Sequence, residues 1–427
     1  MIFFFSNSGE SLPIVERIKQ EGYPASIYVH CPDYEKNYRG MLKTVELKKV
    51  RAAVDKAELV VFDITRINEG MKHDRALLHL FRIGNKTSVF GPIADKLRVQ
   101  GKKVVGCSTW SENIEFDRQL GATIAEKIGL KIPRGESFSS LSAGKTFLAA
   151  NKNRLWVLKP HNNSDLDLTY VEKFKGELLE KMNADLAGRL TGRFMLQEKI
   201  DGVEISTEAW WNGTAWVNFN HTIEAKRLMN DDLGPSIGSQ SNTVWVEPRC
   251  FIADAFNRLT PYVKRAGYIG PVDINCVVKD RKPYFLEFSP RFGYDALFNL
   301  LNLLDGDIST FFTNRFVSSF KPGFSSSQRV SVPPFPNSEP SLLMKYANDI
   351  PVNYGPDFWA LDVYENDGRR CAGADGILGV QTGYGETLDE SVAALYKSIK
   401  GLKIGGYAQY RTDGMNAKKR YDEFKNV

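Results

Sequence analysis

The chain has 427 residues, of which 42% are hydrophobic and 25% charged, so it is long enough for two to four domains with well-formed cores. The formal net charge is only +5 and no stretch is dense in lysine and arginine, which argues against nucleic acid as a partner. Five scattered cysteines without a CxxC pair indicate neither a disulfide framework nor a zinc site. No apolar run approaches the ~18 residues of a membrane span, and the first residues lack the basic region of a signal peptide. We therefore predict a cytoplasmic globular protein that does not bind membranes.

Short apolar runs alternate with amphipathic stretches in the first hundred residues. The predicted elements are, in chain order, a strand at Ile2–Phe5, a helix at Leu12–Glu21, and strands at Ser26–Val29, Leu59–Asp63 and Lys103–Gly106. This alternation favours a parallel, Rossmann-like sheet, and we predict such a domain over residues 1–108. The loop after the first strand has one glycine only, so the fingerprint of a dinucleotide site is absent.

Helices and antiparallel strands are mixed in the next two hundred residues. The predicted elements are a helix at Glu115–Ile128, strands at Leu155–Lys159 and Phe194–Glu198, and hairpins that pair Val203–Trp211 with Ala215–Asn220 and Val272–Val278 with Tyr284–Phe288. Asn212-Gly213 is a strong turn signal for the first hairpin. We predict a central domain over residues 109–325, in two lobes that divide near residue 194.

The last hundred residues are predicted to form a small α/β domain over 326–427. Pro322–Pro340 is rich in proline and serine and is predicted to be a connector. It is followed by predicted strands at Phe358–Tyr364 and Gly376–Thr382, a helix at Leu388–Ser398 and a strand at Tyr407–Arg411. The predicted fold class is thus multidomain α/β and α+β.

Ala143-Gly144-Lys145-Thr146 resembles the end of a phosphate-binding P-loop. The full pattern requires a glycine five positions before Gly144, where this chain has Ser139. The segment is therefore predicted to be a helix N-terminus.

The segment Tyr284–Gly293, YFLEFSPRFG, carries the strongest chemical signal. Glu287 lies near the end of a predicted strand, Ser289 follows on the same face, and Arg291 comes two residues later. Magnesium prefers oxygen ligands and takes only one or two from protein when phosphates supply the rest. Asp273, across the predicted hairpin, is a further candidate ligand. A surface glutamate with an arginine partner is the alternative.

Two further segments suggest a nucleotide. Lys159 ends an apolar strand, where its ammonium needs an anionic partner such as a phosphate, unless it reaches solvent at the strand end. Gln197–Glu204 is predicted to be strand, turn and strand, which can offer backbone groups to an adenine edge and place Glu204 near ribose hydroxyls.

In chain order, these segments resemble the phosphoribosylamine–glycine ligases, a family of ATP-grasp enzymes in purine biosynthesis. Glu287–Gly293 is similar to the family's E-F-N-A-R-F-G, and Gln197–Glu204 to its E-E-F-L-D-G-E-E. The other matching segments are Lys226–Gly238, similar to K-R-x-x-D-G-D-x-G-P-N-T-G-G-M-G, Ile114–Arg118, similar to L-E-G-S-K, and Tyr410–Asp413, similar to Y-R-x-D.

The resemblance implies ATP-grasp central domains and a ligase that uses ATP and Mg²⁺ (or Mn²⁺) to join a small-molecule carboxylate to an amine through an acyl phosphate. It gives phosphate binding to Arg118 and Lys159, adenine binding to Gln197, Glu198 and Ile200, ribose binding to Glu204, and magnesium to Glu287 and Ser289. It gives catalytic roles to Arg291, Lys226, Arg227 and Asp232, and substrate contacts to Gly234, Pro235, Ser236 and Gly238.

Three segments depart from the family's pattern. The family's glycine-rich loop after the strand lysine is replaced by His161–Leu168, which has no glycine and two carboxylates. Ser289 stands where the family has a magnesium-binding asparagine, and Ser6–Glu10 stands where it has the phosphoribosyl segment G-N-G-G-R-E-H. The substrate pair and the oligomeric state are therefore left open. A degenerate ATP-grasp module that binds nucleotide without ligating is the alternative hypothesis.

Overall fold

The computed structural model describes residues 1–65, 72–84, 86, 88–160, 168–184, 189–190, 192–248 and 250–426. They form two compact units. Unit 1 comprises Met1–Glu112, Ile205–Ile274 and Ser289–Asn426, and unit 2 comprises Asn113–Glu204 and Asn275–Phe288. Among these residues, no helix combines the length and the apolar character that a bilayer crossing needs. The domain boundaries predicted from the sequence stay a prediction.

The helices are α1 (Leu12–Gln20), α2 (Val50–Lys56), α3 (Lys72–Leu80), α4 (Phe90–Val99), α5 (Thr109–Phe116), α6 (Arg118–Lys127), α7 (Leu141–Ala150), α8 (Glu177–Ala184), α9 (Ala253–Arg265), α10 (Tyr294–Leu303), α11 (Ile308–Thr313), α12 (Pro340–Tyr346), α13 (Leu388–Lys400) and α14 (Ala417–Asn426).

The strands are β1 (Ile2–Ser6), β2 (Ala25–Val29), β3 (Leu59–Phe62), β4 (Lys103–Val105), β5 (Gly135–Phe138), β6 (Trp156–Pro160), β7 (Tyr170–Val171), β8 (Phe194–Glu198), β9 (Val203–Trp211), β10 (Trp216–Arg227), β11 (Ser236–Val246), β12 (Gly270–Lys279), β13 (Lys282–Ser289), β14 (Leu304–Asp305), β15 (Ser319–Phe320), β16 (Phe324–Ser331), β17 (Val352–Asn353), β18 (Phe358–Ala360), β19 (Val363–Glu365), β20 (Arg369–Cys371), β21 (Ile377–Gly385) and β22 (Lys403–Ile404).

A four-stranded sheet, in the order β2-β1-β3-β4 with parallel pairing throughout, begins unit 1. Alternate residues of β1 enter two different cores: Ile2 and Phe4 pack in one cluster, Phe3 and Phe5 in the other. Because both faces of the sheet are covered, its strands are continuously apolar in sequence. The predicted Rossmann-like sheet is confirmed.

An eight-stranded sheet has the order β13-β12-β9-β10-β11-β16-β21-β18. Its antiparallel strands from β9 to β18 form the rest of the framework of unit 1. The prediction that Pro322–Pro340 is a connector is wrong, because this segment contains strand β16, which pairs between β11 and β21. The serines of β16 are buried and hydrogen-bonded: Ser326 Oγ lies 2.8 Å from both Thr243 Oγ1 and Ser391 Oγ. Hydrogen bonds between side chains thus allow a polar segment to occupy the middle of a sheet.

Unit 2 contains a second antiparallel sheet, in the order β5-β8-β6-β7. Its apolar face includes Trp156, Leu158, Phe194 and Leu196, which pack in one buried cluster with α7 and α8 side chains such as Leu148, Leu178 and Met182. The P-loop-like residues 143–146 lie inside α7, and a Cβ on Gly144 would be 2.7 Å from the ring of Phe194. The prediction that this segment belongs to a helix is confirmed.

Three predicted elements have different bounds in the structure. The helix predicted at Glu115–Ile128 is two helices, because the Asp117 carboxylate accepts the N–H groups of Gln119 and Leu120 and begins α6. The strand predicted at Phe358–Tyr364 is divided into β18 and β19. The strand predicted near Tyr407–Arg411 is wrong, since only an isolated bridge from Gln409 to Ser331 forms there.

Candidate functional site

Lys159 lies on the face of the unit 2 sheet that is opposite the apolar cluster. Its strand neighbours Trp156 and Leu158 point into the core, whereas Lys159 is half-buried on the other side. In the pairing of β6 with β8, Val157 lies opposite Gln197, so Gln197 shares the face of Lys159. Two residues predicted to contact a nucleotide are therefore on one face of one sheet.

Glu198, at the end of β8, is held from two sides. Its carboxylate forms an ion pair with Arg154, and its N–H donates to the carbonyl oxygen of Arg134 at 2.7 Å. These bonds fix the strand end that leads into Ile200, which is half-buried. The adenine contacts predicted for Glu198 and Ile200 stay predictions.

Arg118 and Glu287 are brought together, although 169 positions separate them in the sequence. Arg118 is the first residue of α6, and Glu287 is an exposed residue of β13. Burial lowers the pKa of the Arg118 guanidinium, and the negative charge of Glu287 partly opposes that shift. A predicted phosphate ligand and a predicted metal ligand thus interact electrostatically in unit 2.

Glu204 accepts a hydrogen bond from a residue that the sequence did not single out. The Asn275 side-chain amide donates to Glu204 Oε1 at 3.2 Å, and Asn275 is 5% exposed. Its Oδ1 has no hydrogen-bond partner among the described residues. Asn275 follows Asp273 by two positions on β12, so the two side chains leave the strand on the same side. This spacing is the sequence signal that would have found it.

Tyr268 is a second residue that the sequence did not single out. It is buried, and its hydroxyl lies 2.6 Å from the carbonyl oxygen of Pro271 and 2.9 Å from that of Pro290. These contacts tie together the two segments of unit 1 that bear Asp273 and Arg291. Nothing in the sequence around Tyr268 indicated this role.

The predicted substrate segment Lys226–Gly238 comprises the end of β10, the turn after it and the start of β11 in unit 1. Lys226 Nζ lies 3.7 Å from the Glu224 carboxylate, and Arg227 donates to the carbonyl oxygen of Gly234 at 2.8 Å. Gly234 and Gly238 have positive φ angles of 76° and 81°, which glycine adopts without strain.

Asp232 has two arginine partners. Its carboxylate lies 2.8 Å from Arg411 Nη1, and its other oxygen forms an ion pair with Arg420. Arg411 is fully buried and also contacts Asp413, so the predicted Y-R-x-D element packs against this turn. The catalytic role predicted for Asp232 stays a prediction, and its contacts are those of a residue that anchors the turn.

The residues predicted to bind magnesium suit an ion that shares its coordination with a nucleotide. Among the described residues, no group of three or more His, Cys, Asp or Glu side chains is arranged to hold a metal ion. Mg²⁺ commonly takes one or two protein oxygens and completes its octahedron with phosphate and water. Glu287 and Ser289, two positions apart on β13, offer such oxygens. The glycine-free segment at 161–167 lies outside the described residues.

No protein-family model matches the sequence. The chain is 21% identical to phosphoribosylamine–glycine ligase of Methanosarcina barkeri, with 100% of this chain and 99% of that protein covered. The crystal structure of phosphoribosylamine–glycine ligase from Thermotoga maritima matches with a TM-score of 0.67 and 18% identity, over 96% of this chain and 99% of that one. The crystal structure of a biotin carboxylase–beta-gamma-ATP complex from Campylobacter jejuni matches with a TM-score of 0.63 and 14% identity, over 100% of this chain and 96% of that one.

The parallel sheet, the antiparallel sheets and these neighbours define the fold as that of the ATP-grasp class, and the predicted fold class is confirmed. Within this class, the chain is similar over its whole length to phosphoribosylamine–glycine ligase, as the sequence motifs predicted.

Proposed function

We propose that the chain is an ATP- and magnesium-dependent ligase that joins a carboxylate to an amine through an acyl phosphate, in the manner of phosphoribosylamine–glycine ligase. The observation that supports this most strongly is that Lys159 and Gln197, which the resemblance assigned to phosphate and adenine, share one face of the sheet in unit 2. In the same unit, the charge of Glu287 acts on the half-buried guanidinium of Arg118. The similarity over the full length of the curated ligases supports the same reaction class.

The proposed nucleotide contacts follow from the chemistry of the side chains in unit 2. The cationic Lys159 and Arg118 hold phosphates, and Gln197, with the strand end after it, lies against adenine. Glu204 is an exposed carboxylate at the start of β9, and carboxylates accept hydrogen bonds from ribose hydroxyls. In unit 2, Glu287 would hold Mg²⁺ or Mn²⁺, which would neutralise charge on the phosphates. In unit 1, Ser289 and Asp273 offer further oxygen ligands.

The proposed reaction has two steps. A substrate carboxylate oxygen attacks the γ-phosphorus of ATP, and ADP leaves with the electron pair of the broken P–O bond. The amine nitrogen then attacks the carbonyl carbon, and phosphate departs as the amide forms and the nitrogen loses a proton. Arg291, Lys226 and Arg227 carry the positive charge that stabilises the acyl phosphate, while the Gly234–Gly238 turn contacts the substrates.

The test is ADP formation by the purified full chain in the presence of ATP and Mg²⁺. Glycine with phosphoribosylamine is assayed first, followed by a panel of amino acids and amines. We expect ADP formation that depends on both a carboxylate and an amine. Nucleotide binding without amine-dependent ADP formation for any pair would contradict the proposal and favour the non-ligating module.

Glu287→Ala is expected to abolish magnesium-dependent ADP formation without unfolding the chain, because Glu287 is exposed. Glu126→Ala, on the exposed side of α6, is the matched control and should retain full activity. If Glu287→Ala forms ADP at the wild-type rate, Glu287 is not a magnesium ligand.

A further inference from the structure

A cavity of about 120 Å³ lies within unit 1 and has four acidic side chains in its lining. Its described lining includes four carboxylates, one amide and one guanidinium: Glu10, Asp295, Asp362, Asp375, Asn37 and Arg329. This volume holds a few water molecules or the end of a short amine chain. None of its described lining residues is among those predicted to bind the nucleotide.

Several buried acceptors in this cavity have no donor. Asn37 Oδ1 and Asp295 Oδ2 have no hydrogen-bond partner among the described residues, and these residues are only 4% and 3% exposed. Glu10 Oε2 is a third such acceptor. Arg329, whose Nε is also unpartnered, has its charge paired with the other oxygen of Asp295 at 3.0 Å. Since a buried acceptor without a donor is costly, these oxygens favour an occupant that brings N–H or O–H donors into the cavity.

The carboxylates of the cavity also repel one another. Burial and the charge of Asp362 raise the pKa of Asp375 to about 7, and burial raises the pKa of Asp362. Asp362 is already held by the N–H groups of Ala374 and Gly376, at 3.0 and 2.8 Å. A cation that enters the cavity would remove this repulsion, because the carboxylates would then have a positive neighbour.

The same carboxylates would repel an anionic group. Phosphoribosylamine, the amine in the name of the curated relatives, carries a phosphate. Placed in this cavity, a phosphate would lie among four carboxylates, with a single guanidinium already paired to Asp295. The cavity therefore selects against a phosphate-bearing amine.

The cavity is close to the proposed catalytic segment along the chain. Asp295 follows Arg291 by four residues, so their Cα atoms are at most about 14 Å apart. Between them, the N–H of Phe292 donates to the carbonyl oxygen of Asp63 at 3.3 Å. The cavity and Arg291 therefore belong to neighbouring parts of unit 1.

An amine must be uncharged at the nitrogen that attacks an acyl phosphate, since a protonated nitrogen has no lone pair. A cavity that recognises positive charge must then bind a different nitrogen of the same molecule. We propose that the acidic cavity binds the ammonium end of a diamine or polyamine, whose other, uncharged nitrogen is the nucleophile of the ligation. This inference rests on the proposed function and names the class of its amine substrate.

The cavity is tested by calorimetric binding to the full chain without ATP, at pH 8 and constant ionic strength. The probes are 1,4-diaminobutane, 1,4-butanediol as its uncharged counterpart, and phosphoethanolamine as a phosphate-bearing amine. We expect 1,4-diaminobutane to bind at least tenfold more tightly than 1,4-butanediol, and phosphoethanolamine not to bind.

Glu10→Gln and Asp375→Asn should each weaken binding of 1,4-diaminobutane at least tenfold, whereas Asp389→Asn, an exposed acid on α13, should leave it unchanged. Glu10 is only half-buried, so its variant keeps the test valid if Asp375→Asn does not fold. Absent diamine binding, or binding that neither variant weakens, would overturn the assignment of the cavity. Diamine binding without ADP formation from any carboxylate would instead contradict the proposed ligase function.

Discussion

Arg118 is a half-buried cation whose environment favours an added anion. Burial lowers the pKa of its guanidinium, and the opposing charge of Glu287 does not fully offset the effect. The phosphates of a nucleotide would supply the missing negative charge, because guanidinium–phosphate pairs form short, charge-assisted hydrogen bonds. Arg118 is thus expected to contribute to nucleotide binding more than to folding.

Arg118→Met is expected to slow ADP formation at least about 100-fold, because one preorganised positive charge is lost at the phosphates. Thermal stability should stay the same or rise slightly, since a partly desolvated charge is removed. The measurement is steady-state ADP formation together with a melting curve. Lys127→Met, at the exposed far end of the same helix, is the control. A variant at position 118 that loses stability but keeps its activity would show a structural role.

Glu208 is a buried carboxylate whose titration makes the stability of the folded chain depend on pH. Its Oε1 accepts from the Trp210 indole at 2.7 Å and from Asn220 at 3.1 Å, while burial raises its pKa to about 7. The folded chain therefore keeps this proton up to about pH 7, whereas the unfolded chain loses it near pH 4.5. Its contribution to stability falls as the pH rises between these values.

Glu208→Gln is expected to keep both hydrogen bonds and to remove the titration. Relative to wild type, the free energy of unfolding of the variant should rise by about 3 kcal/mol between pH 4.5 and pH 8. Urea unfolding at the two pH values measures this difference. If the unfolding free energies of variant and wild type differ by the same amount at both pH values, Glu208 ionises normally in the folded chain.

The turn before β9 depends on a close approach that only glycine allows. A Cβ on Gly202 would be 2.4 Å from the carbonyl oxygen of Val278, a backbone atom of β12 that cannot move freely. Gly202 and Val278 both belong to unit 2. The residues predicted to contact adenine, Gln197–Ile200, come just before Gly202 in the chain. The glycine of the segment is thus explained by packing.

Gly202→Ala is expected to destabilise the fold by about 1–3 kcal/mol and to weaken ADP binding, because the strand ends must separate. Gly355→Ala is the control, since a Cβ there meets no atom within 4 Å. Melting curves and ADP titrations of both variants measure the effect. Equal behaviour of the two would show that the turn tolerates a side chain.

The β10–β11 turn is attached to the C-terminal segment through Arg411. This side chain is fully buried, with Asp232 at 2.8 Å and Asp413 at 2.9 Å from its nitrogens. Removing one partner of a buried ion pair leaves the other charges unbalanced. The turn that carries the predicted substrate residues is therefore expected to depend on Arg411.

Arg411→Met is expected to destabilise the chain by about 3 kcal/mol, whereas Arg420→Met, which is 25% exposed, should cost less than about 1 kcal/mol. Denaturant unfolding measures both values. Similar costs for the two substitutions would contradict the anchoring role of Arg411.

Elements with strong apolar patterns were predictable from the sequence, and polar ones were not. The strands at Ile2–Ser6 and Leu59–Phe62 are apolar on both faces and were located within one residue at their ends. Strand β16 was missed because its buried serines depend on partners such as Thr243 and Ser391, which are distant in sequence. Local composition contains no information about such partners.

At the scale of the whole molecule, the motif residues could be predicted but the acidic cavity could not. Gln197–Glu204 and Glu287–Gly293 are contiguous segments, so their pattern is visible in the sequence. Glu10, Asp295 and Asp375 converge only when the chain folds. Ser6–Glu10 was recognised as a departure from the family's phosphoribosyl segment, but the carboxylates that accompany it lie hundreds of residues away.

The central claim is that the sheet face of Lys159, with Arg118 and Glu287, forms the ATP site. A crystal structure of the full chain with Mg²⁺ and a non-hydrolysable ATP analogue tests it most directly. We predict phosphate oxygens on Arg118 and Lys159, a metal ion on Glu287, and adenine beside Gln197. A nucleotide bound elsewhere, with these four side chains in contact only with protein and water, would contradict the account.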